Sequence, residues 1–231
     1  MKPLRRSALR EIRRSLGRYL AIFAIVALGV GFFSGLRVCR DAMIKTGDDY
    51  LSRQRMYDYR LISTLGFSRE DASAFEALEG VVDAEGSVVK DALFEAGGAL
   101  VGVLKAHSLP ERLNLISLVE GRMPEKPDEL VADAKCFGKE AVGTVLKLSP
   151  DNDEDTLDIF AGREYTIVGI GNSPLYLNFE RGGTSLGSGT VTGFVYLPLE
   201  GFDCDYFTEI CVRCDAPGAI YSDVYSETVA A

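Results

Sequence analysis

The sequence predicts an α+β protein with one N-terminal transmembrane helix followed by a mixed α/β extracytoplasmic domain. Three observations carry this. Residues 19–36, YLAIFAIVALGVGFFSGL, are eighteen positions without a charge, Asn, Gln, His or Pro. As a helix rising about 1.5 Å per residue they span roughly 27 Å, close to the hydrocarbon thickness of a bilayer. The charge changes sign across this run. Beyond it, short β-branched and aromatic runs alternate with glycine and proline turns and one capped helical segment.

The net charge of -9 over 231 residues averages two opposite regions. Residues 1–36 hold seven basic groups (Lys2, Arg5, Arg6, Arg10, Arg13, Arg14, Arg18) against Glu11, a net of +6, which leaves -15 for residues 37–231. Basic flanks stay in the cytoplasm, so these residues orient the span with the N-terminus inside and residues 37–231 outside a plasma (cytoplasmic) membrane. Leu4, Leu9, Ile12 and Leu16 recur at near-helical spacing, with the arginines largely on the other side. Residues 1–18 therefore read as a cytoplasmic amphipathic juxtamembrane helix whose arginines reach lipid phosphates. Its position against the span makes membrane lipids, and not nucleic acid, the expected partner. A secretory signal peptide shares the basic start, but its apolar core is usually about 7–15 residues and ends in a small-x-small site, which SGLRVCRDAM lacks. A lipoprotein reading of Cys39 fails on the bulky Val38. Within the span Ala27, Gly31 and Gly35 recur every fourth residue on one face, the pattern of close helix packing in membranes, and imply a second transmembrane helix as neighbour. Apart from Gly47, the sequence after Leu36 is able to continue as a helix.

The domain of residues 37–231 opens with a strand over 56–64 (MYDYRLIST), then a helix capped by Ser68 with Phe75 and Leu78 on one face. Residues 88–94 and 99–105 form a hairpin across Gly97 and Gly98, a pair suited to positive φ. Further strands are expected over 130–132, 144–148, 165–170, 193–197 and 207–212.

No catalytic, cofactor or metal site follows from the spacings. Cys39, Cys136, Cys204, Cys211 and Cys214 are odd in number, so no disulfide framework is predicted, though a bridge using Cys204 is open; small buried hydrophobe is the default. CVRC resembles half a zinc site, but no second pair exists and His107 is the one histidine. GTSLG fits the pattern of a nucleophile elbow at Ser185, yet a glycine-rich turn follows and the histidine precedes it, against the hydrolase order. A phosphate loop is excluded because Ser188 stands where its lysine belongs. DNDEDTLDIFAG alternates acids like a calcium loop, but Thr156 replaces the turn glycine and Gly162 the bidentate glutamate, and a solvated acidic turn explains it as well. GIGNSP starts like a dinucleotide fingerprint and stops at Pro174.

The stretch GIGNSPLYLNFERGGTSLGSGTVTGFVYLP resembles the extracytoplasmic region of FtsX-like ABC transporter permeases with a MacB-type core domain. The motif residues are Ser173, Pro174, Leu175, Tyr176, Gly182, Gly183, Thr184, Ser185, Leu186, Gly187, Ser188 and Gly189. The arginine-rich start, the span, DYRLIST, VEGRMPEKPDELVAD and YFTEICVR follow in the order of that family, so the resemblance covers essentially the whole chain. It implies a permease subunit whose ATPase is a separate chain, acting with a second permease copy or paralogue, and using ATP-driven helix motion for export, lipid or peptide handling, or mechanotransmission. It also implies a βαβ-rich part in two sequence pieces around a β-rich insertion, the second piece beginning near Tyr206, in an N-terminal fragment incomplete at its C-terminus. Two other readings stand beside it: a single-pass anchored ectodomain for binding or sensing, and an extracytoplasmic enzyme.

Overall fold

A computed structural model of the chain describes residues 16–220 and 222–230. Lys2, Arg5, Arg6, Arg10, Arg13 and Arg14 lie outside the described residues, as does the expected juxtamembrane helix up to residue 15; Arg18 is described and exposed. The chain divides between Asp49 and Tyr50 into two compact units.

The first unit is helical. Helix α1 (Leu16–Arg53) runs 38 residues without a break, and its most apolar stretch has a mean hydropathy of 2.2. It is long and apolar enough to cross a membrane: at about 1.5 Å per residue it reaches roughly 57 Å, nearly twice a hydrocarbon core of about 30 Å. Gly47, the one residue after Leu36 excepted from the expected helix, is accommodated within it. Ala27, Gly31 and Gly35 are exposed on one face, with open space where a side chain on either glycine would project.

The second unit holds two sheets. Strands β1 (Tyr59–Phe67), β2 (Val81–Ser87) and β10 (Phe207–Cys214) form a three-stranded sheet with β10 antiparallel between the other two. Helix α2 (Arg69–Glu76) connects β1 to β2, its N-terminus closed by a capping box in which Ser68 and Asp71 exchange side-chain and backbone hydrogen bonds. Ala72 and Phe75 pack on Ala84, Ile210 and Val212. Leu78 does not share that face: the helix ends at Glu76 and Leu78 is exposed.

The second sheet closes on itself. It comprises β3 (Val89–Ala96), β4 (Ala99–Ser108), β5 (Ser117–Gly121), β6 (Glu129–Asp133), β7 (Val145–Leu148), β8 (Glu164–Asn172) and β9 (Val191–Leu197), in the order β5-β8-β6-β9-β4-β3-β7. Because β7 also pairs with the start of β8, through Leu146 opposite Tyr165, six strands form a barrel with β5 added beside the end of β8. Ala92, Phe94, Leu104, Leu130, Leu146 and Val195 fill the interior. With the two-residue period of a strand, Val131, Phe194 and Tyr196 face the other way and form a separate cluster on the outside of the wall. The short helices α3 (Glu154–Asp158) and α4 (Asp223–Ala230) are the remaining α-helices among the described residues.

The fold thus has its three-stranded part in two sequence pieces around the barrel, and the second piece starts at Phe207. Strands expected over 130–132, 144–148, 165–170, 193–197 and 207–212 are β6 to β10, and the Gly97–Gly98 hairpin is β3–β4, with both glycines at positive φ. The strand expected at 56–64 begins later, at Tyr59, because residues 54–56 close the C-terminus of α1. Strands β2 and β5 and helices α3 and α4 were not expected; the acidic stretch read as a solvated turn forms α3. Val81–Ser87 interrupts its apolar residues with acids, and β5 is a five-residue addition on which Val119 remains exposed.

Leu104 is fully buried in the barrel, whereas Leu65 is 95% exposed. Leu104→Ala is expected to cost about 2–5 kcal/mol, through lost burial and the cavity left behind. Leu65→Ser should stay within about 0.5 kcal/mol of the parent. Denaturant unfolding of the detergent-solubilised chain, followed by circular dichroism, checks both.

Candidate functional site

Two of the stretches quoted for the resemblance, residues 119–133 and 169–198, meet on the outer face of the barrel wall formed by β4, β6 and β9, whereas DYRLIST and YFTEICVR lie in the three-stranded sheet. Strand β8 ends in GIGN, where close approach excludes side chains. A Cβ on Gly169 would collide with the carbonyl oxygen of Arg122, and one on Gly171 with Ile116. This lets the GRMP segment lie against β8. Arg122 then forms a bidentate pair with Glu129 at 2.6 and 2.8 Å, closing the loop between β5 and β6, while Met123 packs on the outer cluster. The Arg122 hydrogen bonds, with backbone N–H donors behind them, lower the Glu129 carboxyl to about 2.

Ser173, Pro174, Leu175 and Tyr176 make one turn of 3-10 helix immediately after β8. Ser173 is its N-cap, accepting the Leu175 N–H at 3.3 Å and sharing a 2.7 Å hydrogen bond with the Tyr196 hydroxyl; Pro174 supplies the preset φ of a first helical position. The turn aims Tyr176 at the wall, where its ring stacks on Phe194 with centroids 4.6 Å apart. His107, projecting outward from β4, stacks on Tyr196 at 5.0 Å and shares a 2.5 Å hydrogen bond between Nε2 and the Tyr176 hydroxyl. Burial, reinforced by the positive charges of Lys105 and Arg60, drives the imidazole down to about 3, so it is neutral at physiological pH. Burial pushes the hydroxyls of Tyr176 and Tyr196 up, keeping both protonated.

Arg181 locks this layer. Its guanidinium holds the Asp133 carboxylate at 2.6 and 2.8 Å, donates to the carbonyls of Tyr176 and Asn178, and lies 5.7 and 5.5 Å from the rings of Tyr176 and Phe194. The Asp133 side chain is fully buried and that of Arg181 nearly so. Neither residue was singled out from the sequence, nor were His107, Phe194 and Tyr196 as a group. All but His107 lie inside the quoted stretches, and an Arg ahead of a glycine pair was the available signal for a closing ion pair.

Gly182, Gly183, Thr184, Ser185, Leu186, Gly187, Ser188 and Gly189 form a narrow loop into β9. Val191 N–H bonds to Gly182 and Thr184 N–H to Gly189, with Gly182, Gly187 and Gly189 at positive φ. Gly187 sits against Val103 and Leu93 of the barrel. Ser185 is exposed on this loop beside Lys90, Asp91 and Lys105, while the one histidine is bonded to Tyr176, so the structure does not bring Ser185 and His107 together as a nucleophile and its base. The acids of 151–158 serve the fold: Asp153 caps α3, and Asn152 bonds both the N–H and the carbonyl of Leu93. Among the described residues no group of three or more His, Cys, Asp or Glu is placed to hold a metal, and the five cysteines are free thiols, Cys211 buried with its thiol pushed up to about 12 by desolvation. A cleft of about 510 Å³ opens beside the layer, lined by Tyr57, Arg60, Lys105, Leu175, Leu177 and Glu180 among others. That volume lies in the small-ligand range.

Two outcomes test this geometry. Asp133→Ala strands a buried guanidinium and should cost about 3–5 kcal/mol in denaturant unfolding, with much of that loss recovered when Arg181→Met is added. The lowered His107 pKa means that the unfolded chain takes up the proton first. Its contribution to stability is complete above pH 6.5 and declines as pH falls towards about 3. Glu129 adds a loss of the same sign only below pH 4.5. His107→Phe should therefore flatten the slope of unfolding free energy between pH 6.5 and 4.5.

No protein-family model and no curated protein matches this chain. Among solved structures, the extracellular domain of the noncanonic ABC-type transporter YknZ from Gram-positive bacteria is similar at 12% identity and a TM-score of 0.44, covering 72% of this chain and 80% of that one. The periplasmic region of MacB from Actinobacillus actinomycetemcomitans is similar at 10% identity and a TM-score of 0.42, covering 73% of this chain and 72% of that one. At these scores the likenesses assign neither activity nor partner to this chain.

Proposed function

We propose that this chain is a membrane-spanning permease subunit of an ABC transporter. In this reading a separate ATPase subunit drives motion of the transmembrane helices, and the barrel-bearing domain outside the membrane receives that motion. The observation that carries it is α1 itself, a 38-residue helix long and apolar enough to cross a membrane, with open space beside Gly31 and Gly35 for a second helix. The resemblance of the SPLY and GTSLGSG segments supports the reading, as does their use in the structure. They brace a wall through Tyr176, Arg181 and a tight glycine loop. The Ala27, Gly31, Gly35 face of α1 is where a second permease helix packs, and the arginines before it keep the N-terminus at the cytoplasmic membrane face.

The test is affinity isolation of the full chain from native membranes in mild detergent, after cross-linking, with mass spectrometry of what accompanies it. Recovery of a protein with a phosphate loop, reduced severalfold by Gly31→Leu with Gly35→Leu, is the expected result. Recovery of the chain alone, unaffected by these substitutions, would favour the single-pass binding ectodomain, for which the 510 Å³ cleft is the candidate site.

A further inference from the structure

Among the described residues only two non-glycine positions have positive φ, Arg55 at 51° and Asn114 at 55°. They are bonded to each other: the Asn114 N–H donates to the Arg55 carbonyl at 3.0 Å. Arg55 follows the last turn of α1 in a Schellman arrangement. Its N–H reaches the Ser52 carbonyl and the Met56 N–H the Leu51 carbonyl, and the left-handed residue at this point is usually glycine. Asn114 sits in the loop between β4 and β5 of the barrel and is buried. Its side-chain oxygen accepts the Tyr57 N–H at 3.1 Å, and the next residue, Leu115, donates to the Gln54 carbonyl at 2.8 Å. Three hydrogen bonds thus tie residues 54–57 to the barrel loop.

The same loop grips the three-stranded sheet. The Glu85 carboxylate of β2 accepts the N–H groups of Glu111, Arg112 and Leu113 at 2.7, 3.1 and 2.7 Å. Arg112 pairs with Glu76 and Asp83 and donates to the Ala84 carbonyl. Arg55 closes the triangle, its guanidinium 2.7 Å from Asp83. The helix end, the three-stranded sheet and the barrel therefore meet at residues 111–115. Left-handed backbone at a bulky residue persists only where its surroundings hold it, and here the two such residues hold one another.

We propose that the Arg55–Asn114 backbone pair is a mechanical joint, fixing the C-terminal turn of α1 to both sheets at once so that a displacement of the helix end reaches the barrel and the three-stranded sheet together. What drives α1 rests on the permease reading; the joint itself does not. Hydrogen exchange read by mass spectrometry on the full chain in detergent tests it, with ATPase recovery remaining the separate test of that reading. Asn114→Ala removes the acceptor for Tyr57 and disfavours the left-handed backbone. It is expected to speed exchange in 54–57 and 111–115 about fivefold or more while the amides of β4 and β9 keep their rates. Asn114→Asp, which retains an acceptor and tolerates positive φ, should restore protection, and Arg55→Gly, which adopts this φ without strain, should retain it. Unchanged exchange in Asn114→Ala, or an equal rise throughout the barrel, would overturn the joint. Loss in Arg55→Gly as large as in Asn114→Ala would assign the hold to the guanidinium and overturn the backbone pair.

Discussion

Closure of the barrel through β7 and β8 is the constraint on which the rest depends. Val145, Leu146 and Lys147 pair with Thr166, Tyr165 and Glu164, so the first residues of β8 complete the ring. This occupies backbone groups that would otherwise form free edges. It leaves the later residues of β8 to pair with β6 on one side and β5 on the other. The end of β8 is consequently held at a fixed place on the wall, and the turn from Ser173 to Tyr176 inherits that position. An open sheet would give that turn no fixed wall to lie on.

The outer face of β4, β6 and β9 then becomes a second buried surface. Leu130 and Ala132 point into the barrel while Val131 and Asp133 point out of it; Val195 and Leu197 point in while Phe194 and Tyr196 point out. Covering that face takes a layer made of loop, and loops bring polar backbone that must be satisfied. Arg181 meets much of this requirement by donating to two loop carbonyls while neutralising Asp133. A buried pair of this kind adds little over an apolar replacement of both partners, yet loss of one partner is severe because the other charge is left without compensation. Its physical consequence is therefore to make one loop conformation far better than the rest.

What was legible in the sequence follows from the range of the interactions. The apolar N-terminal helix, the Ser68 cap, the Gly97–Gly98 hairpin and the β6–β10 strands are local patterns, and each is where its pattern put it. Barrel closure was not legible, because pairing of β7 with β8 is a choice among many strands that a periodicity of two leaves equal. Arg181 and Asp133 stand 48 positions apart, and nothing local distinguishes that aspartate from those of the acidic loops. The segments that carry the resemblance were legible as motifs without their reason. The structure supplies it: GIGN admits the GRMP segment at its glycines, SPLY lays Tyr176 on Phe194, and the glycines after Arg181 turn the chain back into β9.

The chemistry of this layer favours holding over reacting. A general base at neutral pH needs a proton affinity near the working pH and access to substrate, whereas His107 is lowered to about 3, buried, and bonded to a tyrosine that burial keeps protonated. Cys211 is held as a thiol by the same desolvation. The polar groups packed against these rings are similarly occupied: Ser173 with Tyr196, and Arg181 with Asp133. Satisfied buried polar groups rigidify their surroundings, and a rigid body transmits displacement better than a plastic one. The same logic applies at the end of α1, where backbone hydrogen bonds are directional and short-ranged and so resist rotation as well as separation.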